Sequence, residues 1–95
     1  MPNDLTLTLL GTGTSQGVPV IACNCAVCSS SDPRDKRLRA SALLSSGGKN
    51  LVIDTGPDFR EQMLRARVGE VEGVLITHEH YDHTAGLDDV RPFCS

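Results

Sequence analysis

The stretch that most constrains the fold is Gly73-Val74-Leu75-Ile76-Thr77, followed at once by His78-Glu79-His80-Tyr81-Asp82-His83. The first five residues read as a buried strand, apolar after its glycine and closed by a threonine. The next six hold all three histidines of the chain, with an aspartate among them. In extended backbone, side chains two apart point the same way, so His78 and His80 can converge on one ion while Glu79 points away. Past Tyr81 a helical turn is expected, in which Asp82 and His83 diverge by about a third of a turn. That divergence suits a second ion close to the first, as in two-metal hydrolytic sites. Imidazole and carboxylate are ordinary ligands for zinc-like ions. The rival helical motif H-E-x-x-H needs a histidine four places after His78, where Asp82 stands, and is excluded.

Composition narrows the setting. With 95 residues, the chain is long enough for one small domain with a modest core. A formal net charge of -3 with scattered basic residues gives no reason to expect a nucleic-acid or membrane partner. No apolar run reaches membrane-spanning length. Met1-Pro2-Asn3-Asp4 lacks the basic start of a signal peptide, so a cytoplasmic protein is expected.

Residues 5–10 alternate leucine and threonine, the period of a strand with one buried face. They lead into Gly11-Thr12-Gly13-Thr14-Ser15-Gln16-Gly17, which has Gln16 where a dinucleotide fingerprint needs glycine and reads instead as a tight turn with unusual dihedrals. Cys23, Cys25 and Cys28 follow within six residues. Thiolates at that spacing can wrap one tetrahedral zinc, with Cys94 a conceivable fourth ligand and an ordinary residue otherwise. Unligated thiols or a redox role are the other readings. Residues 29–39 form a polar loop from which Arg37 or Arg39 could meet a phosphate.

Two strands, at 40–45 and 51–54, are expected to join in a hairpin at Gly47-Gly48-Lys49-Asn50. Asp54 ends the second, where it could cap the helix that follows. That helix spans 57–68, with Phe59, Met63 and Leu64 inward and Gly69 as its stop. A last helix over 84–90 is expected to end at Pro92.

Four features together, the His-x-His-x-Asp-His run, the Gly11-Thr12-Gly13 turn, Cys-x-Cys-x-x-Cys and Asp54, resemble the metallo-β-lactamase superfamily, and within it the PhnP-like group of phosphoribosyl 1,2-cyclic phosphodiesterases. The resemblance implies an α/β (α+β) fold, the N-terminal half of a four-layer αββα sandwich. The domain would be partial over 1–95, lacking its C-terminal half, with a cysteine-rich zinc-binding insert at about 18–38. It implies that His78 and His80 hold one metal and Asp82 and His83 another, zinc or manganese, with Asp82 also catalytic in orienting the attacking water. It implies a structural zinc on Cys23, Cys25 and Cys28, and Asp54 bracing the ligands without touching metal. The expected activity is hydrolysis of a small cyclic ribose phosphate, with a homodimer at full length. Four ligands between two ions leave each under-coordinated, so this chain alone is expected to be inactive. An RNA-cutting ribonuclease Z-like enzyme and a non-catalytic metal-binding module are the alternatives.

Overall fold

A computed structural model describes residues 4–93. Met1 to Asn3, Cys94 and Ser95 lie outside it, and with them the reading of the extreme N-terminus and of Cys94 as a zinc ligand.

Four strands make one sheet in the order of the chain: β1 (Thr6–Gly11), β2 (Ser41–Ser46), β3 (Lys49–Ile53) and β4 (Gly73–Leu75). The first three are antiparallel, and β4 joins β3 in parallel. A parallel pair needs a crossover, which is supplied by helix α1 (Phe59–Ala66). The β2–β3 hairpin is tighter than its composition implied. Only Gly47 and Gly48 form the turn, both with positive φ, 57° and 80°, and Lys49 and Asn50 already pair in the ladder. Two positive φ values are what a two-residue hairpin loop requires, and glycine adopts them without steric cost.

The cross-strand register separates two faces. Leu43 and Val52 point toward α1 and form the core with Phe59 and Met63, with Leu10, Val68, Val74, Val90 and Phe93 packed around them. Phe93 meets Phe59 edge to face, ring centres 6.3 Å apart. On the other face the register aligns Leu7 with Leu44, Leu44 with Leu51, and Ile53 with Leu75. Leu5, Leu7, Leu9 and Leu75 are more than half exposed there. The alternation expected for residues 5–10 is therefore present, but its leucine side is open. An apolar sheet face of this kind suits a sandwich in which a second sheet covers it.

Three helix details differ from the sequence reading. Helix α1 stops at Arg67, which adopts the left-handed conformation (φ 56°) usually left to glycine, two residues before Gly69. Its inward positions are Phe59, Gln62 and Met63, while Leu64 is exposed. Gln62 is buried because its amide donates to the Arg39 carbonyl at 2.8 Å, tying the helix to the chain entering β2. The C-terminal segment is a 3-10 helix, Leu87–Phe93, with Pro92 inside it rather than ending it. Among the described residues, no helix is long and apolar enough to cross a membrane.

Candidate metal centres

Two clusters of ligand-type side chains lie on different parts of the fold. The first is the cysteine loop. Cys23, Cys25 and Cys28 bring their Sγ atoms within 4.8 Å of one another, the only group of three convergent ligand atoms among the described residues. Local backbone produces this. The Cys28 N–H donates to Cys25 Sγ at 3.4 Å, and the Val20 N–H donates to Cys28 Sγ at 3.4 Å. Bonds of that kind favour thiolate. The Cys28 N–H, followed by hydrogen bonds with the Cys23 and Cys28 thiols, lowers the Cys25 pKa to about 7. At Cys28 the Val20 N–H acts in the same sense, but hydrogen bonding with Cys23, burial, and the nearness of Cys25 outweigh it and push that thiol up. Three sulfurs sharing protons at this separation fit a thiophilic ion such as zinc.

The second cluster sits where β3 and β4 end. Asp54 follows β3 with φ 67°, a left-handed conformation rare outside glycine. Its N–H donates to the Leu75 carbonyl at 2.8 Å, so it belongs to the ladder while its carboxylate turns toward the loop after β4. There it accepts from the Thr77 N–H at 2.8 Å, from Thr77 Oγ1 at 2.6 Å, and lies 2.7 Å from His83 Nδ1. Burial opposes the carboxylate charge, but the two Thr77 hydrogen bonds and the bond and charge of His83 outweigh it and hold Asp54 below the usual carboxylate range.

This arrangement settles the orientation of His83. With Nδ1 engaged by Asp54, Nε2 is the nitrogen left to bind an ion, and Asp82 Oδ2 lies 3.2 Å from it. His83 and Asp82 sit on a single helical turn, α2 (Tyr81–Thr84), capped by His80, where the sequence leads one to expect a turn past Tyr81. The His78 ring stacks near His80, centres 5.6 Å apart, and lies 5.1 Å from His83. His78 and His80 are exposed, and Asp82 and His83 are partly covered. The three imidazoles are thus gathered on one edge of the sheet, but no three of the atoms His78, His80, Asp82 and His83 offer converge on one point.

Some contributors escaped the sequence reading. Thr77 reads in the sequence only as the end of a strand, yet it supplies two of the hydrogen bonds on Asp54. A hydroxyl residue directly before the first histidine was the available signal. Arg39, a candidate for phosphate contact, is engaged by Asp58 at 3.1 Å and the Ser15 carbonyl at 2.9 Å. Arg37 donates to Thr12 Oγ1 at 2.8 Å, across the base of the glycine-rich turn. Gly11 and Gly13 serve close approach in that turn: a Cβ on Gly11 would overlap the Arg39 carbonyl, and one on Gly13 would lie 2.8 Å from that of Leu38. The unusual dihedral belongs to Gly17, with φ 69°.

Comparison with known proteins bears on the family and the fold. The model of the beta-lactamase superfamily domain matches residues 49–95. A solved structure described as a new diphosphatase from the PhnP family superposes with a TM-score of 0.92 at 58% identity, over 95% of this chain and 36% of that one. Zinc-bound PqqB from Methylobacterium extorquens superposes with a TM-score of 0.78 at 28% identity, over 90% of this chain and 33% of that one. Among curated relatives, an octanoyltransferase of Porphyromonas gingivalis is 53% identical over 87 residues, 90% of this chain and 18% of that protein. A ribonuclease Z of Bradyrhizobium diazoefficiens is 34% identical over 61 residues, 62% of this chain and 20% of that protein. The chain spans well under half the length of each of these relatives.

Proposed function

This chain belongs to the metallo-β-lactamase superfamily and resembles its PhnP family; from that premise we propose that it supplies the first metal ligands of a hydrolase acting on small phosphate compounds. The observation that carries the reading is the Asp54–Thr77–His83 network, which spends one nitrogen of His83 on a buried carboxylate and frees the other beside Asp82. A histidine held in this way is what a metal ligand needs. His78 and His80 would hold one divalent ion, and Asp82 and His83 a second, each zinc or manganese. Bound ions would lower the pKa of water and offset charge on phosphoryl oxygens. Asp82, partly covered and next to His83, is placed to accept a hydrogen bond from that water and direct it. Asp54 keeps the His83 ring from rotating. A structural zinc on Cys23, Cys25 and Cys28 would pin the loop between β1 and β2.

The 58% identical diphosphatase supports chemistry at phosphorus. Within it, the proposed substrate is a small cyclic ribose phosphodiester, with a phosphoanhydride as the second reading, favoured by that relative's description. The ribonuclease Z branch is less well supported, because RNA binding asks for a basic surface and this chain carries a net charge of -3. Cytoplasmic location and a homodimer at full length stay part of the proposal.

The test joins this chain to the complementary part of the PhnP-family diphosphatase, loads the chimera with manganese or zinc, and offers a cyclic ribose phosphate, a diphosphate and RNA. Turnover of a small phosphate compound is expected, falling at least about 100-fold on His80→Ala. Equal turnover by the chimera and its His80→Ala form defeats the assignment.

A further inference from the structure

The metal turn and the strand end that braces it touch through backbone as well as side chains, and two glycines make that contact possible. The Thr55 N–H donates to the His83 carbonyl at 2.9 Å, and the Gly86 N–H donates to the Thr55 carbonyl at 2.8 Å. Residues 54–56 thereby run alongside residues 82–86 like a short extra ladder. Thr55 at its centre is fully buried. The approach is closer than side chains allow. A Cβ on Gly56 would overlap the carbonyl oxygen of Asp82 and lie 3.1 Å from its carbonyl carbon. A Cβ on Gly86 would overlap the carbonyl oxygen of Gly56 and come within 2.6 Å of Phe59 Cβ. Neither glycine has a positive φ, so conformational freedom is not what these positions require.

We propose that Gly56 and Gly86 are positioning residues for the metal centre: by letting the 54–56 and 82–86 backbones interlock, they set where Asp82 and His83 project. This rests on the metal reading given above. Asp54 constrains the His83 ring from one side; the glycine contacts constrain the backbone that carries it. Without the second constraint the turn would move away from the strand end, and the 2.7 Å bond between Asp54 and His83 Nδ1 would lengthen or break.

The informative substitution is Gly56→Ala, because the three nearest atoms its Cβ would meet all belong to the Asp82 backbone. Gly69→Ala is the control, since a Cβ there meets nothing within 4 Å. Two readouts are taken on the 95-residue chain: amide hydrogen exchange, and titration with cobalt(II). Thiolate charge-transfer absorption marks the cysteine loop, and visible ligand-field absorption lost on His78→Ala marks the histidine turn. The expected result for Gly56→Ala is loss of protection at the Thr55 and Gly86 amides with the β2–β3 ladder still protected. Cobalt affinity at the histidine turn should fall at least about tenfold, the scale on which outer partners of metal ligands act, with the cysteine signal unchanged. Wild-type cobalt affinity in Gly56→Ala overturns the proposal, as does simultaneous loss of ladder protection and both cobalt signals, which would make the glycine a requirement of the whole fold. A wild-type chain with no histidine-dependent cobalt signal defeats the metal reading itself and takes this proposal with it.

Discussion

The cysteine loop and the histidine turn are both candidate metal centres, and they are assembled in opposite ways. Cys23, Cys25 and Cys28 converge through neighbours in sequence, held by N–H···S bonds across three and eight residues on an otherwise exposed loop. The histidine turn depends on partners far away: Asp54 reaches Thr77 and His83 across 23 and 29 residues, and does so only because β3 and β4 pair in register. The local site has its ligands together; the long-range site has its bracing in place and its ligands divided. Sequence spacing can build the first kind of site almost alone. The second kind needs a folded sheet beneath it, so its integrity should report on the fold where the first does not.

Substitutions can break that comparison, and the largest effect is expected in the loop. Replacing Cys23, Cys25 and Cys28 with serine should remove one tightly bound zinc per chain, measured by elemental analysis. Unfolding of the metal-free form should change by no more than about 0.5 kcal/mol, as for surface substitutions. Asp54→Ala should do the reverse. It strips the carboxylate from the Thr77 N–H, the Thr77 hydroxyl and His83 Nδ1, and should destabilise the chain by about 3 kcal/mol in denaturant melts while cysteine-bound zinc stays.

Acid dependence sharpens the same contrast. The folded-state pKa of Asp54 lies below its ordinary value of 3.8, so its charge adds stability that is fully present above that value. That contribution is lost as the pH falls through the folded pKa. The stability gap between wild type and Asp54→Asn should therefore be flat above about pH 5 and close on acidification. A gap that widens toward low pH would mean that the carboxylate is not stabilised by its partners. Thr77→Val removes the 2.6 Å hydroxyl bond to Asp54 and the longer hydroxyl contacts to His78 and His83 but keeps the Thr77 N–H bond, and should cost about 1 to 2 kcal/mol, a smaller effect than Asp54→Ala.

How far this could be read from sequence follows from the same distinction. Period-two alternation and the Gly47-Gly48 pair identified the hairpin, and apolar runs ending in Asp54 and His78 placed both sides of the centre, because these signals are local. The inward face of α1 was misjudged at Leu64, since burial of Gln62 is decided by a carbonyl of Arg39 that helical periodicity does not see. The stop at Arg67 and the 3-10 segment containing Pro92 likewise depend on packing against the core rather than on propensity. Gly56 and Gly86 contribute through contacts between segments distant in sequence, for which spacing carries no signal. The leucine face of β1 was visible as a pattern, but not which side of the sheet the helix would cover.

The most direct test of the central claim, that the histidine turn is a metal centre, is metal content after zinc loading in the chain whose three loop cysteines are serine, with and without His78→Ala and His80→Ala. Metal that persists in the cysteine-free chain and disappears with the two histidines is the predicted result. Equal metal in both would contradict the account, leaving Asp54 as a brace for a turn that holds no ion.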